Sequence, residues 1–232
     1  MRQRLIRTLG HHRRRLFERL GSYRFSRPAA LGIDRALERH LDFDGGFFIE
    51  AGANDGVNFS NTYWFERARG WSGLLVEGIP ELARRCTRNR PGSVVRNCAL
   101  VAAGHPEPSV RMHYSNLQSI VEGAAPPEHV EQGLVSQGER RTYAVDVPAR
   151  TISSLLDEVR PPRIDLFVLD VEGYEAQALR GLDLERHRPR YILVEALDLD
   201  AGKREIDALL GDLYEEVEAV TPHDFLYRLR EG

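Results

Sequence analysis

Five short apolar runs recur along the chain, and helical patterns separate them. The runs lie at residues 47–49, 73–76, 94–95, 164–169 and 191–194. A strand that is apolar throughout is covered on both faces, and strands that alternate with helices form parallel sheets. The pattern therefore predicts an α/β domain built on a mostly parallel sheet.

The end of the chain departs from this alternation. Residues 214–220 and 225–229 both have strand character, and a short turn with a proline joins them without a helix. Two strands with so short a connection pair in antiparallel fashion. We therefore predict a seven-stranded sheet that is mostly parallel and carries a C-terminal antiparallel hairpin, which the dinucleotide-binding form of the doubly wound fold lacks.

The organisation around this sheet is predicted in two parts. Residues 1–44 form a basic, helical N-terminal arm, and residues 45–232 form the main domain. An insertion at about residues 102–150 interrupts the domain after the third strand. Two short strands, at 110–114 and 142–147, flank a long loop in this insertion. Long loops in compact domains commonly serve as lids or binding loops.

The first part of the arm is strongly basic. Residues 1–20 contain seven Arg against one acid, Glu18, and their leucines recur at helical spacing. A basic amphipathic helix is typical of contact with an anionic membrane surface or with a protein partner. The alternative is a solvated arm that packs loosely on the domain.

Composition narrows the class of protein and its location. The net charge of −3 argues against a general nucleic-acid binder. Cys86 and Cys98, the only cysteines, are interpreted as ordinary thiols in a reducing compartment. No apolar run approaches the roughly 20 residues that span a bilayer, and the N-terminus lacks the apolar core of a secretion signal. We expect a cytoplasmic protein, with peripheral membrane contact through the arm.

An acid, two glycines and a polar pair follow the first apolar run. The site residues predicted there are Glu50, Gly52, Asn54, Asp55 and Gly56. Glycine permits a tight turn close to a ligand, but the spacing is not the G-x-G-x-x-G of dinucleotide sites. The acid suits a ligand ammonium group, and the following helix is expected to offer unpaired N–H groups to a carboxylate. The pattern favours S-adenosyl-L-methionine, whose amino-acid half carries both groups.

Two further loops complete the predicted cofactor site. Glu77 closes the second apolar run, where an acid can accept hydrogen bonds from both hydroxyls of a ribose. Cys98 and Ala99 follow the third run, and their backbone is expected to border the adenine. The alternative for the acids is that they are ordinary polar residues at strand ends.

Several blocks of sequence together resemble the FkbM family of methyltransferases. The blocks are residues 48–56, 75–77, 97–100, 169–175 with 179–181, and 194–195. The resemblance covers about residues 47–197. It implies a class I, Rossmann-like methyltransferase fold and O-methylation of hydroxyls on sugars, glycans or natural products. Val168 and Ser153 stand where many members have Lys and Asp, so the resemblance does not identify the methyl acceptor.

Acids also close the fourth and fifth runs. A sugar hydroxyl is a poor nucleophile, so methyl transfer to it needs a base or a metal. We predict Asp170 as the general base, Glu172 as a residue that orients Asp170 or the acceptor, and Glu195 as the next candidate for the base. Glu172 and Glu175 could instead cap the following helix. Crowded carboxylates repel each other, so a raised pKa, a basic substrate or a divalent cation is expected; no metal ligand is assigned.

The insertion offers further polar side chains. Three histidines could act as bases or lie on the surface: His105, His113 and His129. Four residues are candidate contacts for a sugar: Tyr114, Asn116, Gln118 and Ser119. Trp64 and Trp71 are expected to pack in the core.

Two other functions compete with methyl transfer. A dinucleotide-dependent oxidoreductase would also use an acid at the position of Glu77. The chain, however, lacks the glycine fingerprint and the Tyr-x-x-x-Lys pair of such enzymes. A binding or scaffold module could keep the fold without catalysis. The intact Glu50, Glu77 and Asp170 speak against that module.

Overall fold

A computed structural model describes residues 2–114, 119–124 and 142–231. The strands in these ranges are β1 (Phe47–Ala51), β2 (Ser72–Val76), β3 (Val94–Arg96), β4 (Ala99–Leu100), β5 (Ser109–Tyr114), β6 (Ile120–Val121), β7 (Tyr143–Arg150), β8 (Leu166–Leu169), β9 (Tyr191–Glu195), β10 (Tyr214–Ala219) and β11 (Asp224–Leu229). The α-helices are α1 (Arg2–Arg19), α2 (Ile33–His40), α3 (Tyr63–Arg69), α4 (Pro80–Asn89), α5 (Ile152–Val159), α6 (Glu175–Leu179) and α7 (Ala201–Leu210).

The main sheet has seven strands in the order β3-β2-β1-β8-β9-β11-β10. The five strands from β3 to β9 pair in parallel, whereas β11 pairs antiparallel with both β9 and β10. The predicted sheet and its C-terminal antiparallel hairpin are confirmed. The chain has the class I methyltransferase fold, in which the last strand inserts beside the fifth strand of the sheet.

Both faces of the main sheet are buried, which explains the continuous apolar runs. On one face, Ile49 and Phe167 pack with residues of α5 and α7. On the other face, Phe48 packs with α2 and α3, and the predicted core positions of Trp64 and Trp71 are confirmed. Part of the predicted arm, α2, therefore contributes to the core of the domain.

The insertion, together with β4 just before it, forms a second sheet of four strands in the order β4-β7-β5-β6. The two strands predicted in it are confirmed as β5 and β7, while β4 and β6 are two residues long and were not predicted. Met112, Val121 and Val147 of this sheet pack with Ala99 of β4 and with Ile79, which directly precedes α4. Most of the predicted loop, residues 125–141, lies outside the described residues.

The helix predicted in the basic arm is confirmed as α1. Its last turns dock on the domain through Glu18, which accepts hydrogen bonds from Tyr63 Oη at 3.0 Å and Ser26 Oγ at 2.6 Å. Phe17 packs edge-on against Phe25, with ring centroids 4.7 Å apart. In the described part of the chain, no helix is long and apolar enough to cross a membrane.

Candidate active site

A cavity of about 430 Å³ lies at the carboxyl ends of the central strands. The order of the main sheet reverses between β1 and β8, and ligands of open α/β sheets bind beside such a reversal. The predicted site residues that line the cavity are Glu50, Gly52, Asn54, Glu77, Cys98, Ala99, Asp170, Glu172 and Glu195. Asp55 and Gly56 belong to the same loop as Asn54 but do not line the cavity.

Two glycines give the loop after β1 its path. A β-carbon on Gly52, which has φ +83°, would lie 1.8 Å from the carbonyl oxygen of Asp170. A β-carbon on Gly56 would lie 2.8 Å from side-chain atoms of Arg90 and Cys86. Gly52 therefore lets the loop cross the end of β8, whereas Gly56 lets it pack on α4.

The N–H groups of the loop after β1 are hydrogen-bonded within the protein. Every N–H from residue 52 to residue 58 donates within the loop, to the Val76 carbonyl or to Glu77. The N–H groups of residues 61–63 donate to side-chain oxygens. None of these N–H groups is left for a ligand carboxylate, because other oxygens already accept them. Among the first N–H groups of α3, this applies to that of Tyr63. That the helix offers unpaired N–H groups to a carboxylate stays a prediction.

Glu77 lies buried at the end of β2, and each of its carboxyl oxygens binds one backbone N–H. Oε2 accepts from Asn54 and Oε1 accepts from Ile79, both at 2.7 Å. Burial raises the pKa of Glu77 to about 7, although both N–H groups oppose the shift. A carboxylate has about four lone-pair sites. One site remains on each oxygen, and this arrangement suits the paired hydroxyls of a ribose.

Glu50 fixes the start of α3. Ser60 Oγ and Thr62 Oγ1 donate to its Oε2 at 2.8 and 2.6 Å. The Asn61 N–H donates to its Oε1 at 2.8 Å, and an Arg90 guanidinium nitrogen lies 3.7 Å from Oε2. Since three lone-pair sites are taken, Glu50 can accept one more hydrogen bond, on Oε1.

Two buried residues beside Glu50 were not predicted. Asn61 is 6% exposed and lines the cavity, and its Oδ1 has no hydrogen-bond partner among the described residues. Such an orphaned buried acceptor calls for a ligand or water. Arg90 is fully buried and donates to the Gly56 carbonyl at 3.0 Å and to Thr62 Oγ1 at 3.1 Å, so it ties α4 to the loop.

Three carboxylates meet on the other side of the cavity. One oxygen each of Asp170, Glu172 and Glu195 lies within 4.8 Å of the others. Burial, followed by the charge of Asp170, raises the pKa values of Glu172 and Glu195. Burial and the charge of Glu175 raise the pKa of Asp170 to about 7, while a hydrogen bond with Glu195 opposes this. These pKa shifts fit a protonated Glu195 that donates a hydrogen bond to an ionised Asp170.

The turn that carries Glu172 is held by Glu175. Glu175 Oε1 accepts the N–H groups of Val171 and Gly173 at 2.9 and 3.1 Å. Glu172 itself has φ +56°, a left-handed conformation that non-glycine residues seldom adopt outside functional sites. Glu175 therefore holds the turn that precedes the helix, a role different from the helix capping that was its alternative, whereas Glu172 belongs to the acid cluster.

Cys98 and Ala99 lie where the loop after β3 meets the cavity, and Cys98 is a free thiol. Burial raises the pKa of Cys98 to about 11, so the thiol stays neutral at physiological pH. A neutral thiol and a methyl group make an apolar wall. Such a wall suits the face of an adenine ring.

The profile of one protein family, described as the methyltransferase FkbM domain, matches residues 50–228. That range is more than half of the chain and contains all the predicted site residues. The chain belongs to the FkbM methyltransferase family. It is therefore an S-adenosylmethionine-dependent methyltransferase. Comparison with curated proteins gave no match.

Solved structures similar to this FkbM domain are distant in sequence. A TehB-like SAM-dependent methyltransferase from Corynebacterium glutamicum is 10% identical, with 95% of this chain and 96% of that chain covered and a TM-score of 0.45. Precorrin-6y C5,15-methyltransferase from Geobacter metallireducens is 12% identical, with 85% and 87% covered and a TM-score of 0.45. Aeropyrum pernix fibrillarin, with natively bound S-adenosyl-L-methionine, is 15% identical, with 81% and 67% covered and a TM-score of 0.42.

The cavity of the FkbM domain fits the cofactor of the family. Glu77 keeps one acceptor site on each oxygen. Glu50 and the orphaned Oδ1 of Asn61 offer acceptors that suit an ammonium group. The residues present therefore match the ribose and the amino-acid end of S-adenosylmethionine.

The candidates in the insertion have different positions. Ser119 lines the cavity, whereas His105 and His113 do not. His113 lies 3.4 Å from a carboxyl oxygen of Glu122, and Tyr114 stacks on another tyrosine of its sheet. Three of the predicted residues lie outside the described ranges: Asn116, Gln118 and His129.

Proposed function

We propose that this FkbM domain transfers a methyl group to a hydroxyl oxygen of a sugar, a glycan or a natural product, with Asp170 as the general base. The observation that carries the proposal is the meeting of Asp170, Glu172 and Glu195 within 4.8 Å. This cluster borders the same cavity as Glu77 and the loop after β1. A base and a cofactor site therefore share one space.

S-adenosylmethionine, when bound, supplies an electrophilic methyl group. Asp170 takes the proton of the acceptor hydroxyl on a carboxyl oxygen, for which a pKa of about 7 is well matched. Glu195 donates its proton as a hydrogen bond to Asp170 and so limits the repulsion between the two groups. Glu172 orients Asp170 or the acceptor.

The cofactor contacts follow from the free acceptor sites. Glu77 accepts the two ribose hydroxyls, one on each oxygen. Glu50 and Asn61 accept the ammonium group, and the apolar wall of Cys98 and Ala99 covers the adenine. The backbone of Gly52 and Asn54 closes the cavity beside them.

A divalent cation is the other way to neutralise the acid cluster, because three carboxylates are suitable ligands for magnesium or calcium. We favour the proton, since burial and the charge of Asp170 raise the pKa of Glu195 and so keep that carboxyl group protonated. If a proton neutralises the acid cluster, EDTA leaves the rate of methyl transfer unchanged. Loss of activity in EDTA that magnesium restores would favour the cation.

The decisive experiment compares the wild type with Asp170→Asn. Transfer of a labelled methyl group is measured on a panel of methyl glycosides, glycans and phenolic compounds, and binding of S-adenosylhomocysteine is measured by calorimetry. We expect Asp170→Asn to keep the binding and to lose about a hundredfold to ten-thousandfold in rate. Glu158→Gln, which removes an exposed acid paired with Arg150, is the control. Binding without any transfer by the wild type would favour a non-catalytic module.

We also propose that α1 contacts an anionic membrane surface. Leu16 and Leu20 are 56% and 72% exposed, and exposed arginines flank them. Glu18, the one acid of the helix, faces the domain and binds Tyr63. The outer face of the last turns therefore combines leucines with positive charge, as interfacial helices do.

A further inference from the structure

Two bulky apolar side chains on the cavity wall are exposed. Leu31 is 84% exposed and Phe59 is 46% exposed, and both line the cavity that holds the acid cluster. An isolated β-bridge between Ala29 and Phe59 brings their two segments together. Single exposed apolar residues need no explanation, but a pair on the wall of an active-site cavity does.

The backbone at both residues is unusual. Leu31 has φ +49° and Phe59 has φ +61°, so both adopt the left-handed conformation that residues with a bulky side chain rarely show. Residues held in this way are concentrated at ligand-binding sites. Both of these large apolar side chains are in contact with solvent on the cavity wall.

The charged side chains that line the cavity limit the acceptor further. Six acids line it: Glu50, Glu77, Asp170, Glu172, Glu195 and Asp224. Among the described lining residues there is no Arg or Lys, and His223 is the one basic side chain. Such a lining disfavours a phosphate or a carboxylate on the acceptor, because like charges in a partly desolvated site repel strongly.

We propose that Leu31 and Phe59 bind the apolar face of the methyl acceptor. The acceptor is then an uncharged hydroxyl compound that carries an apolar ring or chain beside the reacting hydroxyl. The apolar part packs on Leu31 and Phe59, and the hydroxyl reaches the acid cluster. This inference rests on the proposed methyl transfer to a hydroxyl and specifies its substrate class.

The test uses three probes and protein saturated with S-adenosylhomocysteine. Phenyl β-glucoside, methyl β-glucoside and phenyl β-glucuronide are titrated by ligand-observed NMR. We expect the wild type to bind the phenyl glucoside about tenfold more tightly than the methyl glucoside, because only the first buries an apolar ring. We expect the anionic glucuronide to bind more weakly than the phenyl glucoside. Leu31→Ser and Phe59→Ser should each reduce the preference for the phenyl group.

Leu199→Ser is the matched control, because Leu199 is 48% exposed, close to the exposure of Phe59, but does not line the cavity. It should leave all three affinities unchanged. Equal binding of the two glucosides, no binding of either phenyl compound, or a preference that persists in both cavity variants would overturn the proposal. The glucuronide binding as tightly as the phenyl glucoside would overturn its charge requirement. A wild type that fails to bind S-adenosylhomocysteine would instead count against the proposed function.

Discussion

Gly52 and Asp170 are in direct main-chain contact: a β-carbon on Gly52 would lie 1.8 Å from the carbonyl oxygen of Asp170. Gly52 belongs to the loop after β1, and Asp170 is the proposed base. The loop that surrounds the cofactor therefore rests on the strand end that carries the base. A shift of one displaces the other.

Gly52→Ala should lower both stability and cofactor binding. The substitution adds a left-handed alanine, which costs about 1–2 kcal/mol, and a main-chain clash that costs about 1–3 kcal/mol more. Gly104→Ala is the matched control, since Gly104 has φ +78° but open space around its β-position. Urea denaturation should show a clearly larger loss for Gly52→Ala. Equal losses would mean that the contact with Asp170 is unimportant.

Binding of S-adenosylhomocysteine should tighten as the pH rises toward 7. Burial raises the pKa of Glu77 to about 7, and the ionised form is the better acceptor for two ribose hydroxyls. Below that pKa a proton must be released on binding, so the affinity should fall about tenfold per pH unit. Calorimetry in buffers of different ionisation enthalpy measures the released proton directly.

Glu77→Gln is the control for this pH dependence. The amide keeps the size of the side chain but cannot ionise, so binding should be weak and nearly independent of pH between about 5.5 and about 8. At about pH 8 the loss should be tenfold or more, since a hydrogen bond to a charged group contributes about 1.5–3 kcal/mol. A wild type with constant affinity across this range would contradict the role given to Glu77.

Asn61→Ala should weaken binding of S-adenosylhomocysteine but leave 5′-methylthioadenosine unaffected. The second compound lacks the amino-acid end, which is the part that we place against the orphaned Oδ1 of Asn61. The expected loss for the first compound is about tenfold. Asn61→Asp keeps an acceptor and should retain most of the affinity. If both ligands lose affinity equally, Asn61 only supports the fold of the loop.

The rate of methyl transfer should rise with pH through about 7, because Asp170 accepts a proton only when it is ionised. Glu195→Leu should move this rise to higher pH. The leucine cannot donate a hydrogen bond to Asp170, so the ionised form of Asp170 loses the interaction that opposes its raised pKa. Rate profiles of the two proteins, measured with saturating cofactor and acceptor, make the comparison. An unshifted profile would contradict the coupling.

Leu16→Gln with Leu20→Gln should reduce binding to vesicles that contain anionic lipid. The expected binding of the wild type is weakened by salt, because arginines supply part of the attraction. Leu199→Gln, which changes an exposed leucine elsewhere, serves as the control. Co-sedimentation measures the bound fraction. If the wild type does not bind anionic vesicles, α1 is either a solvated arm or a contact site for a protein partner.

The central strands and their acids were predictable because both depend on local sequence. A strand buried on two faces must be apolar throughout, so the runs that contain Ile49 and Phe167 are visible without any partner. The acids that end those runs then fall at one edge of the sheet. Glu77 and Asp170 could be assigned to the cavity on this reasoning alone.

Other parts of the site depend on contacts between distant segments. Arg90 lies at the end of a helix and nothing in its neighbourhood distinguishes it from surface arginines, yet it is fully buried against the loop after β1. Glu50 was predicted as a ligand contact, but most of its acceptor capacity serves Ser60, Asn61 and Thr62. Sequence periodicity carries no information about which donor reaches which acceptor.

The position of β11 has a consequence for biosynthesis. This strand lies between β9 and β10, although both precede it in the chain. A nascent polypeptide can pair the parallel strands early, but β10 has no neighbour until residues 224–229 have left the ribosome. The same late segment supplies Asp224 to the cavity. Translation that stops before this segment yields a chain with an open sheet edge and an incomplete cavity, which is a natural substrate for chaperones and proteases.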